Sequence, residues 1–191
     1  MKLAYYPGCV SRSTGKEMDA STRAVCAALS IELEEIEDWN CCGATHVSNE
    51  PVATGLSARN MAMTGLPIMT ACSICYSNLR SAVERLKDPE TLDKVNSVLD
   101  KKYSGASIRH ALEVILEAME EKDERIVLPL RGLKVAPYYG CLLTRPRGVD
   151  SPEWPTMIDK LIIRLSAEPV DFRLKTLCCG GPIFMPRQEA A

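Results

Sequence analysis

No apolar run in the 191 residues approaches the length needed to cross a bilayer. Basic clusters are missing too: the formal charge is −2, and no stretch invites nucleic acid or an anionic membrane surface as a partner. There is no Walker loop, no G-x-G-x-x-G and no Ser-His-Asp order, so nucleotide cradles and serine hydrolysis have no foothold. Pro7 interrupts the opening residues Met1 to Tyr6 too early for a signal peptide. These absences lead to the expectation of a cytoplasmic protein without membrane insertion or nucleic-acid binding. What remains is a chain with 46% apolar residues, enough for a proper core.

Against this background, nine cysteines are many. Thiols in a reducing compartment stay reduced, so the count points to metal binding or redox chemistry rather than disulfides.

The early pattern alternates strand-like and helix-like segments. Leu3–Tyr6 is short, apolar and aromatic, and Pro7-Gly8 ends it. Thr14 and Glu17 have capping-box spacing ahead of Met18, Thr22, Val25, Cys26 and Leu29, which repeat at helical intervals. Cys26 falls on that stripe and reads as core. Ile31–Ile36 predicts a second strand. A helix is predicted from Asn49 or Glu50, with Pro51 in its first turn and Gly65 past its end. Leu66–Ala71 predicts a third strand, and Tyr76–Lys87 a third helix. The middle reads as helical, with one stripe of Leu92, Val95, Val98 and Leu99. A second stripe is Ile108, Ala111, Leu112, Ile115 and Met119, and a turn at Tyr103–Ala106 lies between the two. The acidic run Glu120–Glu124 reads as a solvated helix end.

The opening pattern then returns. Leu133–Cys141 echoes Lys2–Cys9, and Cys178-Cys179-Gly180 echoes Cys41-Cys42-Gly43. This is an internal repeat of two related halves. The expected fold is α/β: two pseudo-repeated half-domains, residues 1–125 and 126–191, with mostly parallel sheets flanked by helices. The second half is expected to be truncated, because nothing in it matches Cys72-Ser73-Ile74-Cys75 before Ala191.

In an open parallel sheet the carboxyl ends of the strands share one edge. Cys9 follows the first predicted strand, Cys41 and Cys42 the second, Cys72 and Cys75 the third. These five thiols are therefore expected to converge. The C-x-x-C pair sits where a strand turns into a helix, and helix-start amides favour the thiolate that binds metal. Structural zinc takes about four ligands, and common iron–sulfur clusters take four cysteines. A fifth thiolate beside Cys41 suggests a polynuclear cluster with an extra or bridging ligand. Zinc stays open if one cysteine is free. His46, four residues past Cys42, reads as a loop or helix-start residue, and His110 is given no role.

Cys9, then Cys41-Cys42-Gly43, then Cys72-x-x-Cys75 resembles the cysteine-rich CCG domain. Asp38–Thr45 and Gly132–Cys141 resemble the HdrB component of heterodisulfide reductase and its homologues, over essentially the whole chain. The resemblance implies two CCG domains, each able to carry a noncubane 4Fe-4S cluster, and reductive cleavage of a small thiol disulfide. It also implies partners from the heterodisulfide reductase complex: its ferredoxin-like component and its flavoprotein. Cys9, Cys41, Cys42, Cys72 and Cys75 would hold the first cluster and act through it, and Cys141, Cys178 and Cys179 would belong to the second. Family members continue to another C-x-x-C, so the second set is expected to be incomplete. Two other readings accompany this one: a non-catalytic electron-transfer component of a glycolate, lactate or glycerol-3-phosphate dehydrogenase complex, and a zinc-stabilised docking module.

Overall fold

The computed structural model describes residues 1–44, 47–120 and 123–181. The chain forms two compact units, Met1–Ala118 and Met119–Ala191.

The first unit is built on strand β1 (Lys2–Tyr5), followed by the short helix α1 (Gly8–Ser11) and helix α2 (Lys16–Ala28). Strand β2 (Glu32–Glu35), helix α3 (Glu50–Ala62), strand β3 (Ile68–Thr70) and helix α4 (Ser73–Arg85) come next. Helix α5 (Pro89–Val98), strand β4 (Ile108–His110) and helix α6 (Ala111–Ala118) complete it. The four strands are parallel, in the order β2-β1-β3-β4. The chain leaves β1 towards β2 on one side and returns to β3 on the other. That reversal makes a switch point at the carboxyl ends of β1 and β3, where open α/β sheets bind ligands.

Side chains alternate across the sheet. Leu3, Tyr5 and Met69 pack with Cys26 of α2 and with Ala111 and Val114 of α6. Ala4, Tyr6, Ile68 and Thr70 are equally buried on the opposite side, as expected of a parallel sheet covered on both faces. Helices α3 and α4 pack against each other. Strand β2 is an edge, and its glutamates Glu32 and Glu34 are tied to Lys2. Charged residues on an edge strand discourage pairing with another chain.

The predicted helix at Asn49 is present. The Asn49 side chain accepts from the Val52 amide at 3.1 Å, with Pro51 in the first turn. Asp88 caps α5 in the same way, accepting from the Thr91 amide at 2.9 Å. Three expectations need correction. Thr14 does not cap α2: Gly15 holds that position, with no side-chain capping bond. Helix α4 starts at Ser73 rather than Tyr76, so Cys75 lies in its first turn. The middle is not wholly helical either, because Ile108–His110 pairs with Ile68–Thr70 as a fourth strand. A three-residue strand carries too few residues for its period to stand out from the helix that follows.

His110 ends that strand, buried. Its Nδ1 accepts from the Leu112 amide at 3.2 Å, its ring meets Tyr76 edge-on, and Nε2 has no hydrogen-bond partner among the described residues. Burial lowers its pKa to about 4, while the Ala71 carbonyl pulls weakly the other way. The unfolded chain therefore takes up the proton first, from about pH 6.5 downward. Stability is expected to fall by up to about 3 kcal/mol as pH drops from that value towards the folded pKa, and to change no further below it. Urea unfolding at pH 7 and pH 5 checks this. His110→Phe should flatten the difference, and an equal drop in both proteins would refute it.

The second unit contains strand β5 (Lys134–Val135), helix α7 (Met157–Arg164) and strand β6 (Glu168–Pro169). The two strands pair in parallel. Tyr139 donates to Asp159 of α7, and the Ile158 amide donates back to the Tyr139 hydroxyl at 2.8 Å.

Candidate metal centre

Cysteines far apart in the chain meet at the carboxyl edge of the first sheet. Cys41 Sγ is 3.9 Å from Cys9 Sγ, and Cys42 Sγ is 3.6 Å from Cys75 Sγ. Cys72 and Cys75 also act on each other's ionisation. The sulfurs therefore form a chain of neighbours with Cys75 between Cys42 and Cys72. Cys9 is exposed, Cys41 and Cys72 are half-buried, and Cys42 and Cys75 are buried. Among the described residues no group of three or more His, Cys, Asp or Glu side chains stands ready-made around a single metal ion.

Each thiol gets there by local geometry. Gly8 begins α1 at φ +76°, and a Cβ there would meet Cys75 Sγ at 2.9 Å. Only glycine tolerates both the left-handed backbone and that approach. Gly43 turns the loop after Cys42 at φ +84°. Asn40, just before the cysteine pair, is clamped by Asn60. The Asn60 Oδ1 accepts from the Asn40 amide at 2.8 Å, and its Nδ2 donates to the Asn40 carbonyl at 2.8 Å. The same carbonyl accepts from the Tyr6 hydroxyl at 2.8 Å.

The electrostatics separate the thiols. Hydrogen bonding from Cys75, aided by the Ala44 amide and Asn78, outweighs burial and brings Cys42 down to about 7. Hydrogen bonding from Cys75, aided by the Cys75 and Ile74 amides at the start of α4, brings Cys72 down to about 6. Cys75 is pushed up, first by Cys42 and Cys72 and then by burial. Burial raises Cys41. Burial also raises the Tyr6 hydroxyl, reinforced by the charges of Cys75, Cys42, Cys41 and Cys9. Four of the five thiols thus bear on one tyrosine. The donor set is thiol only, and two of its members, Cys42 and Cys72, are disposed to ionise, which suits metal–thiolate chemistry.

The second unit repeats this local design. Burial raises the Cys141 thiol, and Cys178 and then Cys179 push it the same way. Gly140 and Gly180 have φ +67° and +79°, matching Gly8 and Gly43. The Tyr138 hydroxyl donates to the Leu177 carbonyl at 2.6 Å. Leu177 precedes its cysteine pair as Asn40 precedes the first. This set lies more open: Cys178 and Cys179 are exposed and Cys141 is half-buried.

The matching family model is the cysteine-rich domain CCG, over residues 3–80 and 135–190. The chain belongs to the CCG cysteine-rich domain family. Two segments match, as the repeat requires. This CCG chain is 36% identical, over its full length and 71% of the relative, to the 8-methylmenaquinol:fumarate reductase membrane anchor subunit of Wolinella succinogenes. It is 31% identical, over 94% of its length and 65% of the relative, to the HdrB component of the ferredoxin:CoB-CoM heterodisulfide reductase of Methanosarcina mazei. A solved structure of a hypothetical protein from Helicobacter pylori shares the fold, with a TM-score of 0.70 at 17% identity over 91% of this chain and 33% of that one. Among the described residues no helix is long and apolar enough to cross a membrane.

Two kinds of site residue escape a reading of the sequence. Tyr6 and Tyr138 are visible there only as part of the repeat, and their shared place three residues before Cys9 and Cys141 is the available signal. Asn40, Asn60 and Asn78 carry none. Cys26, expected in the core, is fully buried away from the other thiols in the β1–α2–α6 core. His46, Glu121 and Lys122 lie outside the described residues.

Proposed function

We propose that Cys9, Cys41, Cys42, Cys72 and Cys75 hold an iron–sulfur cluster, of the noncubane 4Fe-4S kind, and that the chain is the redox component of a reductase complex that cleaves a small thiol disulfide. The observation that carries this is the pairing of Cys9 with Cys41 and of Cys42 with Cys75 at the sheet's carboxyl edge, where these four thiols bear on Tyr6. Bound there, the cluster would supply electrons one at a time. The chain's own residues do the rest. Cys42 and Cys72 present sulfur in the form that ligates metal, the Asn60 and Tyr6 hydrogen bonds keep the pair in place, and the buried inner wall keeps water out. The Cys9 side is exposed, which leaves a small disulfide room to approach. Opening one disulfide takes two electrons and two protons and yields two thiols. Both named relatives belong to reductases, so the electrons are read as coming from partner proteins, in the disulfide-cleaving case a ferredoxin-like and a flavin-containing one.

The likeness to a fumarate reductase component favours a second reading, in which the chain relays electrons without turning over a substrate. Cys141, Cys178 and Cys179 would then contribute to a second stop, completed by residues outside the described ones. A dye-linked assay separates the two. The anaerobically reconstituted chain is expected to oxidise reduced viologen when small asymmetric disulfides are added, at a rate well above the cluster-free chain. A cluster that cycles with the dye while disulfides add nothing would overturn the catalytic reading and leave the relay.

A further inference from the structure

Asn78 stands one turn beyond Cys75 on α4 and reaches across to the loop that carries Cys42. Its Nδ2 lies 3.1 Å from the Cys42 carbonyl, 3.4 Å from the Ala44 carbonyl and 3.8 Å from Cys42 Sγ. All three neighbours are acceptors, so the amide presents its NH₂ side to the loop. Two hydrogens serve three acceptors, which leaves the amide committed to this loop. The loop needs an outside anchor, because Gly43 and Ala44 both take left-handed backbone, at φ +84° and +37°. For alanine that conformation is strained.

We propose that Asn78 is a positioning residue of the metal centre: it pins the Cys41-Cys42-Gly43 loop to α4 and donates to the Cys42 sulfur when that sulfur is a metal-bound thiolate. The inference rests on the iron–sulfur reading of the site. Its physical basis is general. Donors aimed at cluster sulfurs spread the negative charge, which is greater after reduction, so they favour the reduced state and raise the potential. Because Asn78 and Cys75 share one helix face at i and i+3, the same helix supplies a ligand and the donor to a neighbouring ligand. Their spacing does not depend on the loop.

The test compares wild type with Asn78→Leu, which keeps the bulk and removes the donor, and with Asn78→Gln, which keeps the NH₂ on a longer arm. Midpoint potentials are taken by dye-equilibrated redox titration followed by electron paramagnetic resonance, and iron retention by competition with a chelator. Asn78→Leu is expected to move the midpoint to a more negative value and to weaken iron retention at least about tenfold. Asn78→Gln should recover part of both. If the leucine variant does not fold, Asn78→Ala takes its place with the same expectation. A variant that loses thermal stability but keeps the wild-type midpoint and iron retention overturns the inference while the cluster reading stands. A wild type that holds no iron overturns both.

Discussion

Cys75→Ser is expected to empty the first site, lowering iron and acid-labile sulfide per chain at least about tenfold, more than the loss of a supporting residue brings. Cys75 is 4% exposed, lies 3.6 Å from Cys42 Sγ, and its ionisation is tied to that of Cys42 and Cys72. It is the hub of the sulfur chain. A serine oxygen is smaller, reaches less far, and does not ionise where a thiol does. Removing it also releases the thiols of Cys42 and Cys72 from the bonding that lowers their pKa values. Cys26→Ser is the matched control. Cys26 is also buried, but in the β1–α2–α6 core. That substitution should cost stability, of order 1–3 kcal/mol for a buried hydroxyl lacking a partner, and leave iron untouched. Colorimetric iron and sulfide on both variants decide the matter. Full iron in Cys75→Ser would remove Cys75 from the ligand set.

Gly8→Ala is expected to damage both fold and site. The residue has φ +76°, and the added methyl carbon would sit 2.9 Å from Cys75 Sγ. Forcing an L-residue into that backbone costs roughly 1–2 kcal/mol. The steric conflict also displaces the Cys75 thiol, which makes the iron loss the diagnostic part. Gly132 separates the two effects, because it has φ +80° with nothing within 4 Å of its added Cβ. Gly132→Ala should lower the unfolding midpoint by a similar backbone cost and retain iron. Equal iron in the two variants would mean that the close approach of Gly8 to Cys75 is of no consequence to the centre.

Much of this is legible in the residues alone. Cysteines placed after three successive strands have to share an edge once the sheet is parallel, and the apolar strand segments and the Asn49–Pro51 helix start mark that sheet well. The fourth strand is hidden. Ile108, Arg109 and His110 run straight into α6, and the stripe of that helix absorbs Ile108. The start of α4 is masked for a related reason: Ser73 and Ile74 look like loop beside two ligand-type cysteines, whereas their amides are what a helix start uses to favour a thiolate. The hydrogen-bonded supports are not legible at all. Asn60 and Asn78 act through side-chain amides on backbone groups brought near by α3 and α4, and no spacing rule in one chain announces such a pairing. Tyr6 is half-visible, since Tyr138 repeats it. Only the matching bonds to the Asn40 and Leu177 carbonyls give the repetition a meaning.

The two halves also differ in a way the repeat conceals. The same tyrosine, glycines and cysteine pair recur, yet the first set closes over Cys42 and Cys75 while Cys178 and Cys179 lie open. Burial follows the C-x-x-C helix: α4 provides the wall behind the first sulfurs, and no element among the described residues plays that part in the second unit. The chain spans 65–71% of the two curated relatives named above.

Purifying the chain without oxygen and quantifying iron, acid-labile sulfide and zinc in one sample bears on the whole account most directly. Iron and sulfide in matching amounts, about four of each per filled site, with little zinc, is the predicted result. About one zinc per chain, with neither iron nor sulfide, would contradict it.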